Sequence, residues 1–422
     1  MKVVQIVADV RDAGMAYEMD VAAQQRLRGY FGQIGACLGD KRQRASFATY
    51  ALGILGEGER KSCEPIAARA CGGDVTRMDA EHNRLLHFLR SSPWDNQSVR
   101  LVAAKYAIHA LSEREPVTNW VIDDTGFLKQ GKHSVGVQRQ YTGSAGKTTN
   151  CQVGVSLCVA TRTAHVPIDF ELYLPKSWTE DPCRRAEGKI PEEVIFETKI
   201  DLALKMIRRA VSAGLPGEVL LADSAYGESH VFRETVRELG LDYALGIHAP
   251  TKVWCLDAAG RRHGEALSVE RLAQELGTRA FRRLTWREGT SGKLRSRFCF
   301  RRVKVAQDDG IEPAKHEALW LMIEWPEGEP TATKFTLTSL PRRMSKKRIV
   351  RTVKERWRTE YAYEELKGEL GLDHFEGRSL PGWNHHVTVV LCCYSFVVAE
   401  RARHFPPSTG GQAQAHALHR AA

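Results

Sequence analysis

Two aspartates each follow a short apolar run with the composition of a β-strand. Asp123 follows residues 120–122, and Asp223 follows residues 219–222. Both positions predict a carboxylate at the end of a strand, where an aspartate more often caps a turn. Carboxylate oxygens are also the ligands that Mg²⁺ prefers in proteins. The two residues would supply part of a metal site.

Further acidic residues lie in a stretch with helical spacing. Four charged residues follow one another there at intervals of four, four and three, which places them on one helical face. Such a face is often a solvated surface with pairs of opposite charge. Three carboxylates in all, however, would suit two Mg²⁺ ions, with Mn²⁺ as a substitute, that activate a nucleophile and stabilise the leaving oxygen in a phosphoryl transfer. The four residues are Arg356, Glu360, Glu364 and Lys367.

The order of helices and strands predicts how these residues are positioned. Residues 22–109 have the apolar spacing of helices, and strand-like composition begins at Val117. From there the sequence predicts the order β-β-β-α-β-α-β, which matches the mixed sheet of an RNase H-like fold of the α/β class. The predicted elements are 117–124, 150–160, 165–174, 194–213, 218–222, 229–239 and 243–247.

The remaining sequence predicts an insertion followed by more helices. Strand-like segments between residues 250 and 340 are interrupted by glycine and charged residues, and helical spacing returns over 345–370 and 386–403. The last residues have the composition of a disordered tail. We therefore predict a helical N-terminal domain at 1–112, an RNase H-like domain at 113–249 and 341–404, a β-rich insertion at 250–340, and a disordered tail at 405–422.

Composition restricts the class of partner and compartment. The 422 residues carry a net charge of +10, and the pI of about 9.1 favours a polyanionic partner such as nucleic acid. The ten cysteines include no Cys-x-x-Cys pair, which argues against a zinc ribbon and for a reducing compartment. The N-terminus lacks the apolar core of a signal peptide, and the most apolar run, 387–398, is too short to span a membrane. We expect a cytoplasmic protein with no membrane partner, and a buried helix at 387–398.

Five motifs resemble those of one enzyme family. In order and spacing they resemble the DDE transposases of bacterial insertion sequences, in the insertion-sequence 701 group, over residues 63–396. The resemblance implies an RNase H-like catalytic domain with a β-rich insertion between the second Asp and the Glu. The motifs are VIDDTGFLK at 121–129, GKHSVGVQRQYTG at 131–143, NCQVGV at 150–155, LADSAYG at 221–227 and ELGLDHFEGR at 369–378.

The resemblance implies a residue for each catalytic position. The family's first Asp falls on Asp123, its second on Asp223 and its Glu on Glu360. Asp124 remains an alternative to Asp123, because only one of two adjacent strand residues can face a site, and Glu364 is the alternative to Glu360. Related transposases carry a Tyr-Arg-Glu-Lys signature around the Glu. Here its Arg and Lys fall on Arg356 and Lys367, and Val353 stands in place of its Tyr.

Basic residues on or beside a predicted Gly-rich hairpin could hold DNA phosphates, although an ordinary solvated hairpin would have the same composition. Within that hairpin, residues 143–148 resemble a nucleotide-binding loop, but Tyr141 occupies the position of the first glycine and a strand follows, so we predict no ATP site. His385 and His386 lack a third nearby ligand and are predicted to be structural. The proposed phosphate contacts are Lys129, Lys132, His133, Arg139 and Lys147, with Arg356 and Lys367 near the cut.

The family resemblance implies a complete activity. It predicts a transposase that binds the inverted-repeat ends of its element, cuts double-stranded DNA there and joins the freed 3′-ends to target DNA. The partners would be the terminal repeats, the target DNA and a second copy of the chain in a homodimer on DNA, in the cytoplasm at the nucleoid. Two alternatives remain open: an RNase H-like nuclease without strand transfer, and a non-catalytic DNA-binding protein derived from a transposase.

Overall fold

The fold combines a helical N-terminal region with mixed β-sheet. A computed structural model describes residues 20–289, 292–306 and 316–404. The helices are α1 (Val21–Gly35), α2 (Lys41–Leu55), α3 (Cys63–Ala70), α4 (Val75–Arg90), α5 (Asn96–Ser112), α6 (Lys176–Thr179), α7 (Pro182–Gly188), α8 (Lys199–Ser212), α9 (Ser224–Gly227), α10 (His230–Glu238), α11 (Val269–Leu276), α12 (Lys346–Lys354), α13 (Trp357–Gly368) and α14 (Leu380–His404).

The strands fall after the first five helices. They are β1 (Asn119–Leu128), β2 (Gln138–Thr142), β3 (Lys147–Ala160), β4 (His165–Tyr173), β5 (Val219–Ala222), β6 (Asp242–Ile247), β7 (Lys252–Leu256), β8 (Arg262–Ser268), β9 (Arg282–Gly289), β10 (Gly292–Val305), β11 (Leu319–Pro326) and β12 (Lys334–Thr338). The predicted α/β class and the helical N-terminal region are confirmed.

The chain divides into two compact units. Within the described residues, unit 1 comprises 20–117, 123–215 and 358–404, and unit 2 comprises 118–122 and the described part of 216–357. The first residues of β1 therefore belong to unit 2 and its last residues to unit 1. The predicted division into an N-terminal domain, an RNase H-like domain and an insertion stays a prediction, and the predicted tail at 405–422 lies outside the described residues.

The helices of unit 1 begin at local sequence signals. α1, α2, α4 and α5 each start after an aspartate whose side chain accepts a hydrogen bond from a backbone N–H of the first turn, which satisfies a donor that has no partner within the helix. The four capping residues are Asp20, Asp40, Asp74 and Asp95.

These helices pack against α14, which is buried without interruption from His385 to Phe396. The Tyr30 hydroxyl of α1 donates to the Cys392 carbonyl at 3.0 Å, and Tyr50 of α2 lies 2.9 Å from His386 Nδ1. A helix that is apolar on every side needs such cover. The predicted buried helix at 387–398 is confirmed, and none of the described helices has the length and apolar character that crossing a membrane requires.

Unit 1 also contains an antiparallel meander. β3 pairs with β2 on one side, and it pairs with β4 from Val153 opposite Tyr173 to Ala160 opposite His165. From Cys151 to Ala160 every residue of β3 is buried, so both faces of the strand are covered. Helix α8 packs on β3 and β4.

Unit 2 is built on parallel pairing continued by antiparallel strands. The start of β1 pairs in parallel with β5, and β5 pairs in parallel with β6. β5 is buried at all four residues, as expected for a parallel strand covered on both faces. The order continues through β12, β11, β10, β7 and β8, with β9 paired to β10. β1, β3, β4, α8, β5, α10 and β6 reproduce the predicted order, and the RNase H-like mixed sheet is confirmed.

One predicted helix is divided in the structure. The helical spacing over 345–370 predicts a single helix, but α12 ends at Lys354 and α13 begins at Trp357. Arg287 lies over the Trp357 ring, 3.8 Å from its centre, a tertiary contact that apolar spacing does not encode. Arg356 therefore precedes α13 and does not share a continuous helical face with Glu360.

A buried arginine connects three elements of unit 1. Arg100 of α5 is 2% exposed, pairs with Asp169 of β4 at 3.0 Å and donates to Thr388 Oγ1 of α14 at 2.8 Å. It also donates to the Phe170 carbonyl at 2.6 Å. Removing one partner of a buried pair is strongly destabilising, because the groups that remain lose their hydrogen bonds without regaining water.

We predict that Arg100→Met lowers the free energy of unfolding by about 3–5 kcal/mol. Lys176→Met is the control, because Lys176 and Glu180 form an ion pair of 3.9 Å with both side chains more than 60% exposed. Exposed pairs contribute about 0–1 kcal/mol. Urea unfolding followed by circular dichroism measures both variants. Equal unfolding midpoints for the two would show that the Arg100 cluster does not stabilise the fold.

Candidate active site

Asp123 lies on the part of β1 that belongs to unit 1. It is 9% exposed, and its Oδ1 accepts the Asp124 N–H at 2.9 Å. Side chains alternate along a strand, so Asp123 and Thr125 point to one side of β1 and Asp124 to the other. The Asp124 carboxylate forms an ion pair with Lys199 of α8 at 2.8 Å. The two adjacent aspartates therefore have different surroundings.

Helix α13 packs against three strands through residues spaced by four. Thr359 Oγ1 lies 3.2 Å from His165 Nδ1 of β4, and the Tyr363 hydroxyl lies 2.6 Å from Ser156 Oγ of β3. Lys367 then reaches Thr125 of β1. This series places α13 across β4, β3 and β1 in turn.

Glu360 and Glu364 each follow a residue of that buried face by one position. A helix turns by a little over a quarter of a circle per residue, so both glutamates lie beside the face that contacts the strands. Both are exposed. Glu360 and Glu364 therefore occupy the solvent-accessible edge of α13 in unit 1.

The Asp123 carboxylate acts electrostatically on two buried groups nearby. Burial raises the pKa of the Tyr363 hydroxyl well above its usual value, and the negative charge of Asp123 raises it further. Burial likewise raises the pKa of the Cys158 thiol to about 12, with Asp123 contributing in the same direction. Asp123 is thus close enough to the buried face of α13 for its charge to affect Tyr363.

Lys367 joins α13 to β1 and to the turn after β2. Its Nζ donates to Thr125 Oγ1 and to the Gly126 carbonyl, both at 2.8 Å, and lies 3.3 Å from Ser144 Oγ. Burial lowers the pKa of Lys367. We call Thr125, Gly126, Ser144 and Lys367 the Lys367 cluster.

Glycine is required at one position of this cluster. A Cβ on Gly126 would lie 2.0 Å from Thr142 Oγ1, closer than atoms can approach. Because Gly126 has no side chain, the end of β2 packs directly on β1, and Ser144 Oγ accepts the Gly126 N–H at 3.2 Å. The glycine of the VIDDTGFLK motif thereby fixes the turn against the strand that carries Asp123.

Asp223 lies in unit 2, directly after β5. Its side chain accepts the Ala225 N–H at 2.9 Å and so caps α9, the structural role expected for a strand-end aspartate. A Cβ on Gly227 would lie 1.9 Å from the Gly246 carbonyl oxygen, so glycine is needed for the turn after Asp223 to approach β6. This close approach explains why the LADSAYG motif ends in glycine.

The register of unit 2 relates Asp223 to the start of β1. β1 and β5 are paired in parallel, and the last residues of the register are Val121 and Leu221. Each strand continues to an aspartate two residues further along the chain, Asp123 and Asp223. Among the residues that the structure describes, no three His, Cys, Asp or Glu side chains form a group that could hold a metal ion.

The predicted phosphate contacts differ in exposure. Lys129 donates to the Phe375 carbonyl at 2.8 Å, and burial lowers its pKa. His133 lies 2.6 Å from the Glu187 carboxylate. Arg356 is partly exposed in the turn before α13. The side chains of Lys132, Arg139 and Lys147, on or near the β2–β3 hairpin, are exposed.

The other sequence features have structural roles. Residues Gly143–Ala145 form one short turn that leads into β3, so the resemblance to a nucleotide-binding loop has no helix to support it. His385 and His386 are buried, and burial lowers the pKa of each to about 4. His385 Nδ1 lies 2.7 Å from the Leu89 carbonyl oxygen. Each of the ten cysteines is a free thiol.

Sequence reasoning missed three residues that position this region. Ser144 lies in a loop that resembles a nucleotide-binding motif, the ion-pair partner of Lys199 lies 75 residues away in the chain, and Tyr363 has the sequence context of an ordinary apolar helix position. A signal existed only for Tyr363. It precedes Glu364 and follows Thr359 by four, the spacing of a buried face.

A family model identifies the family of this chain. The model, described as DDE superfamily endonuclease, matches residues 33–293, more than half of the chain. The chain belongs to this family. The match includes Asp123 and Asp223, whereas Glu360 lies beyond the matched residues. The family resemblance predicted from the motifs is confirmed.

One curated protein is similar to half of this chain. The probable transposase for insertion sequence element IS701 from Microchaete diplosiphon is 30% identical over 211 residues, which is 50% of this chain and 50% of that protein. The chain thus spans half the length of the curated relative it matches.

The Lys367 cluster yields a prediction about local stability. We expect Lys367→Met to raise amide hydrogen exchange in residues 143–146 by roughly tenfold, because losing hydrogen bonds to a charged group costs about 1.5 kcal/mol or more. Lys132→Met removes an exposed lysine and should leave those amides unchanged. Mass-spectrometric hydrogen exchange on both variants measures the effect. Unaltered exchange in Lys367→Met would mean that the turn is held by other contacts.

Proposed function

We propose that this DDE endonuclease is the transposase of an insertion sequence, which cuts DNA at the ends of its element and joins them to target DNA. Asp123 and Asp223 support the proposal most directly, because each lies two residues beyond the last register pair of parallel strands β1 and β5. The curated relative is named a probable transposase. In this proposal Asp123, Asp223 and Glu360 are the catalytic carboxylates.

The chemistry of the donor set suits a hard divalent cation. All three groups offer carboxylate oxygens, the ligand type of Mg²⁺, for which Mn²⁺ can substitute. Two such ions would supply activation of the attacking hydroxyl and stabilisation of the leaving oxygen. Magnesium sites in phosphoryl-transfer enzymes often combine one or two protein carboxylates with substrate phosphates. We therefore place metal binding in the complex with DNA.

The surroundings of the acidic residues support Asp123 over Asp124 as the catalytic carboxylate. Glu360 and Glu364 have similar surroundings. Asp124 is paired with Lys199 on the other side of β1, whereas Asp123 lies on the side of Thr125, which Lys367 contacts. Glu360 of α13 lies four residues after Arg356 and seven residues before Lys367. This is the spacing of the family signature. Glu364 shares the exposed edge with Glu360.

The basic residues of the signature take different roles in the proposal. Arg356 is partly exposed and is proposed to neutralise phosphate charge near the cut. Lys367 already has three oxygen partners in unit 1, which supports a positioning role for it as well as the proposed phosphate contact. By donating to Thr125 and Gly126, it fixes α13, and with it Glu360, to the strand that carries Asp123.

DNA would be held by exposed cations outside the carboxylates. Lys132, Arg139 and Lys147 are available to phosphates, and such contacts fix position without reading sequence. Lys129 is partly buried and donates to the Phe375 carbonyl, so it contributes less in this proposal. The N-terminal helices would recognise the inverted repeats, and two copies of the chain would hold two ends as a homodimer at the nucleoid in the cytoplasm.

A nuclease without strand transfer is the second candidate function. It is favoured by the family description, which specifies an endonuclease and does not specify joining. The two functions share the cutting step and differ in whether a freed 3′-end is transferred. A product assay distinguishes them, because joining yields a covalent product with target DNA and simple cleavage does not.

Asp223→Asn is the first test of the assigned chemistry. We expect cleavage of labelled DNA carrying the element's ends to require Mg²⁺, to stop in EDTA, and to fall by more than about a hundredfold in the variant. Losing only a supporting partner of a metal ligand already costs about 10–100-fold. Asp257→Asn, which changes a partly exposed Asp that accepts the Arg261 N–H, is the matched control and should cut normally. Cutting that survives in Asp223→Asn would refute the assignment.

Asp123→Asn and Asp124→Asn separate the adjacent aspartates. We expect Asp123→Asn to abolish cleavage, because it removes a charged ligand without changing side-chain size. Asp124→Asn should retain cleavage within about tenfold, since it loses an ion pair that is partly exposed and such pairs contribute little. The same cleavage assay, with thermal unfolding as a check on folding, measures both. A reversed order of activities would make Asp124 the ligand.

A further inference from the structure

The β9–β10 hairpin of unit 2 has an unusual concentration of positive charge. β9 contains three arginines and one glutamate, and β10 contains four arginines, two lysines and no acidic residue. A strand exposed on one face would ordinarily mix the two signs of charge. The hairpin belongs to the β-rich segment, for which the family description gives no role.

Within the hairpin, two arginines face each other directly. Arg297 of β10 is the register partner of Arg283 of β9, so their side chains emerge on the same face. Like charges directly opposite are destabilising in a sheet. Arg295 lies two residues before Arg297 on the same strand and faces the same side. A fold that places three guanidinium groups together bears an electrostatic cost that a bound anion would offset.

The internal partner of these arginines is shared and exposed. Arg283 lies 3.3 Å and Arg295 3.7 Å from the same Oε1 of Glu327, and all three side chains are between 43% and 54% exposed. Exposed pairs of this kind contribute about 0–1 kcal/mol. Glu327 and Glu329 both line the depression, so its three arginines outnumber its two carboxylates and the group keeps a net positive charge.

The three arginines line an open depression of about 400 Å³ together with Trp325 and the turn after β11. The Arg297 guanidinium lies over the Trp325 ring, 5.6 Å from its centre, and Phe281 supports that ring edge-on at 5.5 Å. Stacking on an aromatic ring holds a planar guanidinium in a fixed orientation. At least one of the three arginines is therefore preorganised, and the depression is open to a ligand that is larger than a single ion.

We propose that Arg283, Arg295 and Arg297 form a binding site for the phosphate backbone of double-stranded DNA. The guanidinium fork matches the geometry of phosphate oxygens and can bind them in a bidentate manner. The flanking basic residues of β9 and β10 extend positive charge along the hairpin, as successive phosphates of a duplex require. This inference rests on the proposed function, because it takes DNA as the substrate, and it assigns a role to the β-rich segment.

The test is the salt dependence of DNA binding in EDTA, where the catalytic step is silent. A fluorescein-labelled duplex of mixed sequence is titrated with wild type and with a variant that combines Arg283→Gln, Arg295→Gln and Arg297→Gln. Each phosphate contact contributes about 0.9 to the slope of log affinity against log salt concentration. We expect the variant slope to be smaller by about two to three.

Two matched variants separate local contacts from charge and folding. Arg261→Gln, Arg271→Gln and Arg279→Gln together remove three exposed arginines of unit 2 that lie outside the depression, and should leave the slope unchanged. Arg283→Lys, Arg295→Lys and Arg297→Lys together keep the charge and should retain most of the slope. Melting temperatures verify that each variant folds.

Each outcome decides the question. We call the combined Arg283→Gln, Arg295→Gln and Arg297→Gln protein the depression variant. A smaller slope in this variant, but not in the Arg261→Gln, Arg271→Gln and Arg279→Gln control, supports the site. Equal slopes in wild type and the depression variant overturn it, and so does an equal fall in both variants, which would indicate overall charge alone. If wild type cuts the element ends in a metal-dependent manner and Asp223→Asn does not, while the variant lacking Arg283, Arg295 and Arg297 binds like wild type, only the arginine site fails and the transposase proposal stands. A wild-type protein that binds no duplex would overturn both.

Discussion

The alternation of side chains along β1 is the constraint on which the candidate site depends. β1 contributes residues to both units, and successive side chains along it face opposite sides of the strand. A shift of one residue would exchange Asp123 for Asp124, so that the carboxylate now paired with Lys199 would replace the one beside Tyr363. Trp120, which is 1% exposed and donates to the Pro216 carbonyl, opposes such a shift.

Helix α13 depends on the same strand in unit 1. Its buried face meets polar side chains of the strands, and each pair is hydrogen-bonded, as Tyr363 is with Ser156. A buried hydroxyl without a partner costs about 1–3 kcal/mol, so these pairs specify one rotation of the helix. That rotation leaves Glu360 and Glu364 at the exposed edge. A purely apolar contact of similar area would permit other rotations more readily.

Sequence patterns predicted the elements better than their contacts. The strand at 150–160 and the buried helix at 387–398 follow from composition and length alone, because both are fixed by local preference and burial. The division between α12 and α13 could not be predicted in this way, since it coincides with the contact between Trp357 and Arg287, 70 residues away in the chain. The candidate carboxylates were found through family motifs, because strand-end aspartates that only cap a turn have the same local sequence.

The chain's positive charge divides into two populations, and net charge does not distinguish them. One population, which includes Arg100, Lys354 and Lys367, forms hydrogen bonds and ion pairs inside the protein. Lys354 Nζ, for example, lies 2.5 Å from the buried Glu324 carboxylate. Such a group contributes little to the counterion release that accompanies DNA binding, because its hydrogen-bond donors are already paired within the protein and cannot neutralise a phosphate. Exposed cations such as Arg139 and Arg297 can do so. The salt dependence of DNA binding should therefore depend on the exposed arginines and lysines. A basic composition becomes evidence for a DNA-binding surface only when the structure shows which charged groups are not paired within the fold.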